Sequence, residues 1–137
     1  MLSVRGIVET ALYVADPAES AAFYRHVFGF PTLVSGERLV ALAVADRQVL
    51  LLFRRGASAA DMPGSGGVVP GHDGAGRLHL AFAIERDEIE PWRARLAKLG
   101  IPLESEVSWE RGGRSLYFRD PDGHLVELAS PGIWEVY

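Results

Sequence analysis

The sequence predicts an α+β fold of two tandem βαβββ modules, whose curved mixed sheets pair around a cleft. Two observations predict it. An apolar run with strand character leads directly into a helix start twice, at Glu9–Val14 and at His79–Ile84. Each helix pattern then ends at a glycine followed closely by proline, and three further strand-like runs come next. The 137 residues therefore form one domain of two repeated halves.

The first module spans residues 7–55. Asp16 is predicted to cap its helix, because an aspartate oxygen accepts from free N–H groups, and Pro17 suits the first turn. Phe23, Val27 and Phe30 have the spacing of an apolar helix face, and Gly29 ends the helix. The strands that follow are predicted at Pro31–Ser35, Leu39–Ala45 and Arg47–Phe53.

The second module spans residues 77–131, after a linker at 56–76 and before a tail at 132–137. Asp87 is the predicted start of its helix, with Glu90 three residues on. Six glycines and two prolines between Ala57 and Gly76 predict a flexible loop for the linker. The apolar helix positions are Ile89, Trp92, Leu96 and Leu99, and the later strands are predicted at Leu103–Trp109, Arg114–Arg119 and His124–Ala129.

Composition excludes several classes of function. The net charge of −4 with no basic run argues against nucleic-acid binding. No apolar stretch has the length of a transmembrane helix, and the first residues lack the regions of a signal peptide, so a cytoplasmic protein is expected. The absence of cysteine excludes disulfides and thiolate ligands, so any metal must be held by His, Asp or Glu.

Three polar residues interrupt strands that otherwise look buried. Strand alternation places Glu9, His79 and Glu127 on the face opposite the helices. Overlaying the two modules aligns Glu9 with His79, and Leu51 with Glu127. Taken singly, a strand glutamate is usually solvated and a strand histidine is usually a satisfied polar group. Three such residues at repeat-equivalent positions instead predict a shared metal site.

A divalent cation explains why two carboxylates and an imidazole would converge, because buried carboxylates without a partner are costly. Oxygen and nitrogen donors suit Mn, Fe, Co, Ni or Zn. Three protein ligands, Glu9, His79 and Glu127, would leave positions open for substrate, as in a catalytic site. The predicted enzyme would act on a small molecule that offers two adjacent oxygens to the metal.

The chain resembles the vicinal oxygen chelate superfamily, which includes glyoxalase I, extradiol dioxygenases, fosfomycin-resistance thiol transferases and bleomycin-resistance proteins. The resemblance implies the glyoxalase/bleomycin resistance/dioxygenase fold and metal ligands at Glu9, His79 and Glu127. Glu9 stands where histidine is common, and Leu51 where glyoxalase I has a fourth ligand. The resemblance is carried by Ala11–Asp16, Ala21–Phe30, His79–Phe82 and Leu116–Leu128.

The resemblance also implies roles. Tyr117 would donate a hydrogen bond to a metal-bound substrate oxygen, and Glu127 could loosen from the metal to act as a base. Short members often share sites across a two-fold axis, which predicts a homodimer. Dioxygenase-like chemistry ranks slightly ahead of a glyoxalase-like lyase, and thiol addition to an epoxide stays open. The alternative function is a metal-free drug-binding module of the bleomycin-resistance type.

Three loop residues are weaker candidates for ligand contacts. His72 in the linker could close over a ligand, although a loop histidine is more often solvated. Arg111 and Arg114 flank two glycines and could hold a substrate anion, although exposed arginines in loops are common.

Overall fold

The computed structural model describes residues 1–137 as two compact units, Met1–Gly76 and Arg77–Tyr137, hereafter the first and the second unit. Each unit contains one α-helix and a four-stranded mixed sheet, and the first also has a two-stranded hairpin. The predicted α+β class with repeated βαβββ order is confirmed. Neither helix combines the length and hydropathy needed to cross a membrane.

The elements of the first unit are β1 (Glu9–Val14), α1 (Pro17–Phe28), β2 (Thr32–Ser35), β3 (Leu39–Val44) and β4 (Gln48–Arg54). The strand order in its sheet is β1-β4-β3-β2. The parallel pair β1–β4 lies at one side of the sheet, and the other pairs are antiparallel. The predicted strands agree with the observed ones within one or two residues.

Helix α1 begins and ends where the sequence predicts. The Asp16 carboxylate accepts from the Ala18 N–H at 2.9 Å, and Gly29 closes the helix in the left-handed conformation with φ of 74°. The predicted apolar face is partly wrong, because Tyr24 is fully buried whereas Phe23 and Phe30 are half-buried. The helix packs on β3 and β4, against buried side chains that include Leu12, Val14, Val40, Leu42, Leu50 and Leu52.

The turn between β3 and β4 holds two non-glycine residues at positive φ, Ala45 at 51° and Asp46 at 55°. The Arg47 N–H donates to the Val44 carbonyl at 3.2 Å, which closes a tight hairpin turn. Alanine is an unfavourable residue for this conformation, since its Cβ crowds the carbonyl oxygen.

We expect Ala45→Gly to raise the free energy of unfolding by about 1 kcal/mol, because glycine adopts positive φ without this penalty. Chemical denaturation measures the change. The matched control is Ala22→Gly on the exposed side of α1, where the same change should cost about 1 kcal/mol. A destabilised Ala45→Gly variant would contradict the turn geometry.

The linker is more structured than the flexible loop predicted for it. Strands β5 (Met62–Gly64) and β6 (Gly67–Val69) form an antiparallel hairpin within it. The linker backbone also folds back on itself, because a Cβ built on Gly71 would lie 2.2 Å from the Ala59 carbonyl oxygen. Glycine at this position therefore serves a close backbone approach rather than chain flexibility.

The elements of the second unit are β7 (His79–Ala83), α2 (Ile89–Lys98), β8 (Ser105–Ser108), β9 (Arg114–Arg119) and β10 (Leu125–Ala129). They repeat the topology of the first unit, with the strand order β7-β10-β9-β8. The parallel pair is β7–β10, and the pairs β10–β9 and β9–β8 are antiparallel.

The start of α2 differs from the prediction. A 3₁₀ turn at Arg86–Glu88 precedes the helix, and the Glu88 carboxylate accepts from the Glu85 N–H at 2.8 Å. The predicted capping role of Asp87 is therefore wrong, because Glu88 engages the free N–H at this end. Ile89 and Leu96 are buried as predicted, whereas Trp92 and Leu99 are half-buried.

The tail docks on its own unit through the last residue. The Tyr137 hydroxyl lies 2.9 Å from the Ala129 carbonyl oxygen and 3.1 Å from that of Ile84, and it donates to them. Burial raises the pKa of this phenol, so the hydrogen-bond donor persists at neutral pH.

Candidate metal centre

The register of β7 and β10 brings two of the three predicted ligands together. His79 pairs with Leu125, and Glu127 lies two residues further along β10 on the same face. The His79 Nε2 atom is 3.2 Å from Glu127 Oε1. The imidazole is half-exposed, with 50% of its side-chain surface accessible, whereas the carboxylate side chain retains only 10%.

The Nδ1 atom of His79 fixes how the Nε2 atom of the same ring is presented to Glu127. Nδ1 lies 2.9 Å from the Leu125 carbonyl oxygen, which can only accept, so Nδ1 carries a hydrogen. Nε2 is then either protonated or presents a lone pair toward a carboxylate oxygen of Glu127. Two lone pairs at this distance repel, so the arrangement requires a proton or a cation. A metal ion fits this donor pair, because metal-bound histidines commonly donate their other N–H to a carbonyl.

A buried relay holds the Glu127 carboxylate from the other side. The Ser115 hydroxyl donates to Glu127 Oε2 at 2.5 Å, and the Trp109 indole N–H donates to Ser115 Oγ at 2.9 Å. Ser115 is fully buried, so its hydrogen bond to Glu127 is shielded from water. Neither positioning residue was predicted as part of the site. Strand alternation places Ser115 on the Glu127 face, but Trp109, the last residue of the strand predicted at Leu103–Trp109, lies one residue beyond β8.

Tyr117 lies directly across the antiparallel ladder from Glu127. Burial raises the pKa of this phenol; the Ser115 hydroxyl partly offsets the rise, and the negative charge of Glu127 adds to it. Tyr117 therefore stays protonated at neutral pH and can donate a hydrogen bond. Its ring centroid is 6.4 Å from that of His79, which places the donor beside the His79–Glu127 pair.

An open groove of about 290 Å³ lies on the same sheet. Its one cationic side chain, Arg119, is already paired, because the guanidinium Nε is 2.5 Å from Glu104 Oε2. The groove therefore offers apolar surface and hydrogen-bond donors rather than an unpaired charge. It is lined by Glu104, Ser105, Val107, Tyr117, Arg119 and Leu125.

The third predicted ligand, Glu9, lies at the exposed start of β1 in the first unit. The ladders confirm its equivalence to His79, since Glu9 pairs with Val49 as His79 pairs with Leu125. Leu51 consequently occupies the position of Glu127. Within each unit, no three His, Asp or Glu side chains are placed together so that they could hold a metal ion. The second unit alone brings two of the predicted ligands together.

The loop candidates are engaged in contacts of their own. Arg111 pairs with Glu135 at 3.3 Å, and Arg114 forms an ion pair with Glu106. These partners neutralise both arginines, which removes the main reason to assign them to a substrate anion. His72 does not project freely into solvent, because its Nδ1 is 2.7 Å from the Tyr13 hydroxyl.

The carboxylate of Asp120 holds the turn that follows β9. Its Oδ1 atom accepts from the N–H groups of Asp122 and His124, both at 2.9 Å. His124 is also fully buried, and its Nδ1 accepts from the Leu78 N–H at 2.8 Å. These contacts fix the hairpin between β9 and β10 and thereby the start of the strand that carries Glu127.

Comparison with known families matches residues 6–128 to the model of the Glyoxalase/Bleomycin resistance protein/Dioxygenase superfamily. The chain belongs to this superfamily. The match covers both units and confirms the resemblance carried by the strand and helix motifs. As in the superfamily at large, membership fixes the fold and leaves the reaction to the site residues.

Two curated members of the superfamily align with nearly the whole chain. The Metallothiol transferase FosB of Shouchella clausii (strain KSM-K16) is 29% identical over 91% of this chain and 80% of its own length. That of Lysinibacillus sphaericus (strain C3-41) is 30% identical over 93% of this chain and 83% of its own.

Among solved structures, the chain is similar to a lactoylglutathione lyase from Agrobacterium tumefaciens. The two share 36% sequence identity and superpose with a TM-score of 0.88, covering 96% of this chain and 98% of that one.

Proposed function

We propose that this superfamily member is a metal-dependent enzyme that joins a thiol to a small electrophile, with an epoxide as the first candidate class. The observation that carries the proposal is the His79–Glu127 pair, an imidazole and a carboxylate whose facing atoms lie 3.2 Å apart, close enough for one cation to bind both. Similarity to metallothiol transferases over more than nine-tenths of the chain supports thiol chemistry. The same similarity favours thiol transfer over ring cleavage as the preferred reaction.

His79 and Glu127 would hold the metal, with Glu9 of the same chain or of a second copy as the third ligand. Glu9 qualifies because the strand ladders make it the repeat equivalent of His79. A divalent ion bound here would supply Lewis acidity toward the oxygens of the substrate. We infer a homodimer and a small-molecule substrate on the same basis. The metal is expected to be Fe, Mn, Ni, Zn or Co.

Side chains near the metal would position the Glu127 ligand and supply a hydrogen-bond donor to the substrate. The Trp109–Ser115 relay would hold the Glu127 carboxylate in one rotamer, and the Tyr117 phenol would donate to a negatively charged substrate oxygen. In thiol addition, a bond forms between sulfur and an epoxide carbon as the carbon–oxygen bond breaks. The electron pair of that bond stays on oxygen, which takes up the proton that the thiol releases.

A glyoxalase-like lyase is the second candidate, favoured by the 36% identity to the lactoylglutathione lyase. Leu51 weighs against it, because the resemblance places a fourth metal ligand of glyoxalase I at this position. The metal-free binding module is the third, and the retained His79–Glu127 pair weighs against it.

The experiment is a matrix of metals and substrates on the purified protein. Fe, Mn, Ni and Zn are each tested with glutathione or cysteine plus fosfomycin, with the hemithioacetal of methylglyoxal, and with catechol. Thiol-dependent consumption of the epoxide would support the proposal. Turnover of the hemithioacetal alone would favour the lyase, and catechol cleavage alone would contradict thiol transfer. A metal-free protein without turnover would favour the binding module.

We expect Ser115→Ala to weaken metal affinity about tenfold to a hundredfold, because the Glu127 carboxylate loses the hydroxyl that orients it. Competition with a chelator of known affinity measures the change. The matched control is Ser108→Ala, an exposed serine at the end of β8. Equal metal affinity in the Ser115→Ala variant and the native protein would show that the relay does not contribute to metal binding.

A further inference from the structure

We propose that the first unit carries a binding site for a small organic monocarboxylate, in the cavity beside Arg38 and His72. The proposal does not depend on the function proposed above. The cavity has a volume of about 230 Å³. Its wall combines cationic and hydrogen-bonding groups with apolar side chains, among them Arg38, Ser58, His72, Met62, Val69 and Pro70.

Arg38 is a half-buried arginine that no carboxylate neutralises. Its Nη1 donates to Ser58 Oγ at 2.7 Å, and the guanidinium carbon lies 5.8 Å from the centroid of the Phe53 ring. By contrast, Arg93, Arg114 and Arg119 each pair with a glutamate. The remaining N–H groups of Arg38 are therefore available, and the planar guanidinium matches a carboxylate with two parallel hydrogen bonds.

His72 lines the same cavity and is held by its neighbours. Its Nδ1 atom lies 2.7 Å from the Tyr13 hydroxyl, so one ring nitrogen is already engaged. The His72 ring also packs edge-on against Phe53, with centroids 4.5 Å apart. One aromatic ring therefore contacts both Arg38 and His72, so the two side chains are held before any ligand arrives.

The backbone around the cavity is held in place by specific hydrogen bonds. The His72 N–H donates to the Ser58 carbonyl at 2.8 Å, which joins the two ends of the cavity-lining segment. The Asp61 carboxylate accepts from the Gly71 N–H, also at 2.8 Å. A site built from such a loop needs little ordering when it binds, which favours affinity for a small ligand.

Charge near the cavity favours a single negative charge on the ligand. Asp61 lines the wall, and Asp73 follows His72 in the chain. Hydrogen bonds from the Gly74 and Gly56 N–H groups lower the pKa of Asp73, so it is ionised at neutral pH. Negative charge in and beside the cavity disfavours a dianion such as phosphate more than a monoanion.

The volume and the apolar wall favour an organic ligand over a bare ion. A cavity of 230 Å³ has the volume of roughly eight water molecules at about 30 Å³ each. Met62, Val69 and Pro70 would cover a short hydrocarbon chain or a ring, whereas an inorganic ion would leave them against water.

Isothermal titration calorimetry on the full chain tests the proposal with butyrate, phenylacetate and inorganic phosphate as probes. We expect phenylacetate to bind more tightly than butyrate, and both more tightly than phosphate. Arg38→Gln should weaken carboxylate binding roughly tenfold or more. The matched control is Arg47→Gln, which removes the same charge at an exposed turn and should leave affinity unchanged.

A second variant keeps the test independent of any folding defect. Ala60→Glu changes an exposed cavity-lining residue and introduces a carboxylate that can occupy Arg38, so it should abolish binding with an unchanged thermal midpoint. Three results would overturn the proposal: no carboxylate binding by the native protein, tighter binding of phosphate, or equal binding by Arg38→Gln. The metal and substrate matrix is a separate measurement, so either proposal can fail alone.

Discussion

Replacing His79 with alanine is expected to lower metal affinity about a hundredfold or more and to remove activity with it. The change deletes one of only two candidate ligands in the second unit. Metal content per chain after gel filtration measures the effect directly. Because the imidazole is half-exposed, the thermal midpoint of the metal-free protein should change little.

The control is His26→Ala, which removes an exposed imidazole from the last turn of α1. This variant should retain metal and activity. Stoichiometric metal in His79→Ala would show that the ion is held elsewhere and would end the assignment of His79 as a ligand. Loss of metal from the His79→Ala variant with intact turnover would show that the reaction does not need the metal.

Gly113→Ala is expected to destabilise the second unit by about 3 kcal/mol, the upper range for added volume in a packed site. A Cβ at this position would lie 2.6 Å from the Gly132 carbonyl carbon and 2.7 Å from Ile133 Cγ1. The backbone is also pinned there, since the Gly113 N–H donates to the Gly132 carbonyl at 3.1 Å. Thermal and denaturant unfolding measure the loss.

Gly66→Ala is the matched control for Gly113→Ala. Gly66 lies in the hairpin turn of the first unit, where an added Cβ has no atom within 4 Å, so stability should change by less than about 0.5 kcal/mol. Full stability in Gly113→Ala would mean that the tail moves aside freely. Its docking through Tyr137 would then contribute little to the fold.

Much of the fold was predictable because local signals and global order agree. Asp16 and Gly29 mark the two ends of α1 in the sequence as they do in the structure, and strand alternation identified the buried faces of β1 and β10. The α2 start was mispredicted because Glu88 and Asp87 are both acidic and only the backbone path decides which carboxylate meets a free N–H. The hairpin in the linker was missed because glycine-rich sequence carries no hydrophobic period.

The part of the candidate site that lies on strands was predictable, because alternation along a strand fixes the face that each side chain occupies. His79 and Glu127 meet because a parallel register places residues two apart on one face, and alternation predicts that face from sequence. The Trp109 contact was not predictable, since Trp109 lies beyond the end of β8, where strand alternation no longer fixes the direction of a side chain. The contribution of Glu9 stays a prediction, because ladder equivalence is a statement about position and not about distance.

The two halves also differ in length, and the difference is localised. Equivalent residues are offset by 70 between β1 and β7 and by 71 between β2 and β8, but by 76 between β3 and β9. Five of the six additional residues of the second half therefore fall in one connection, between β8 and β9. That connection carries Trp109, so the side chain that braces Glu127 through Ser115 comes from the longer surface turn of the second half.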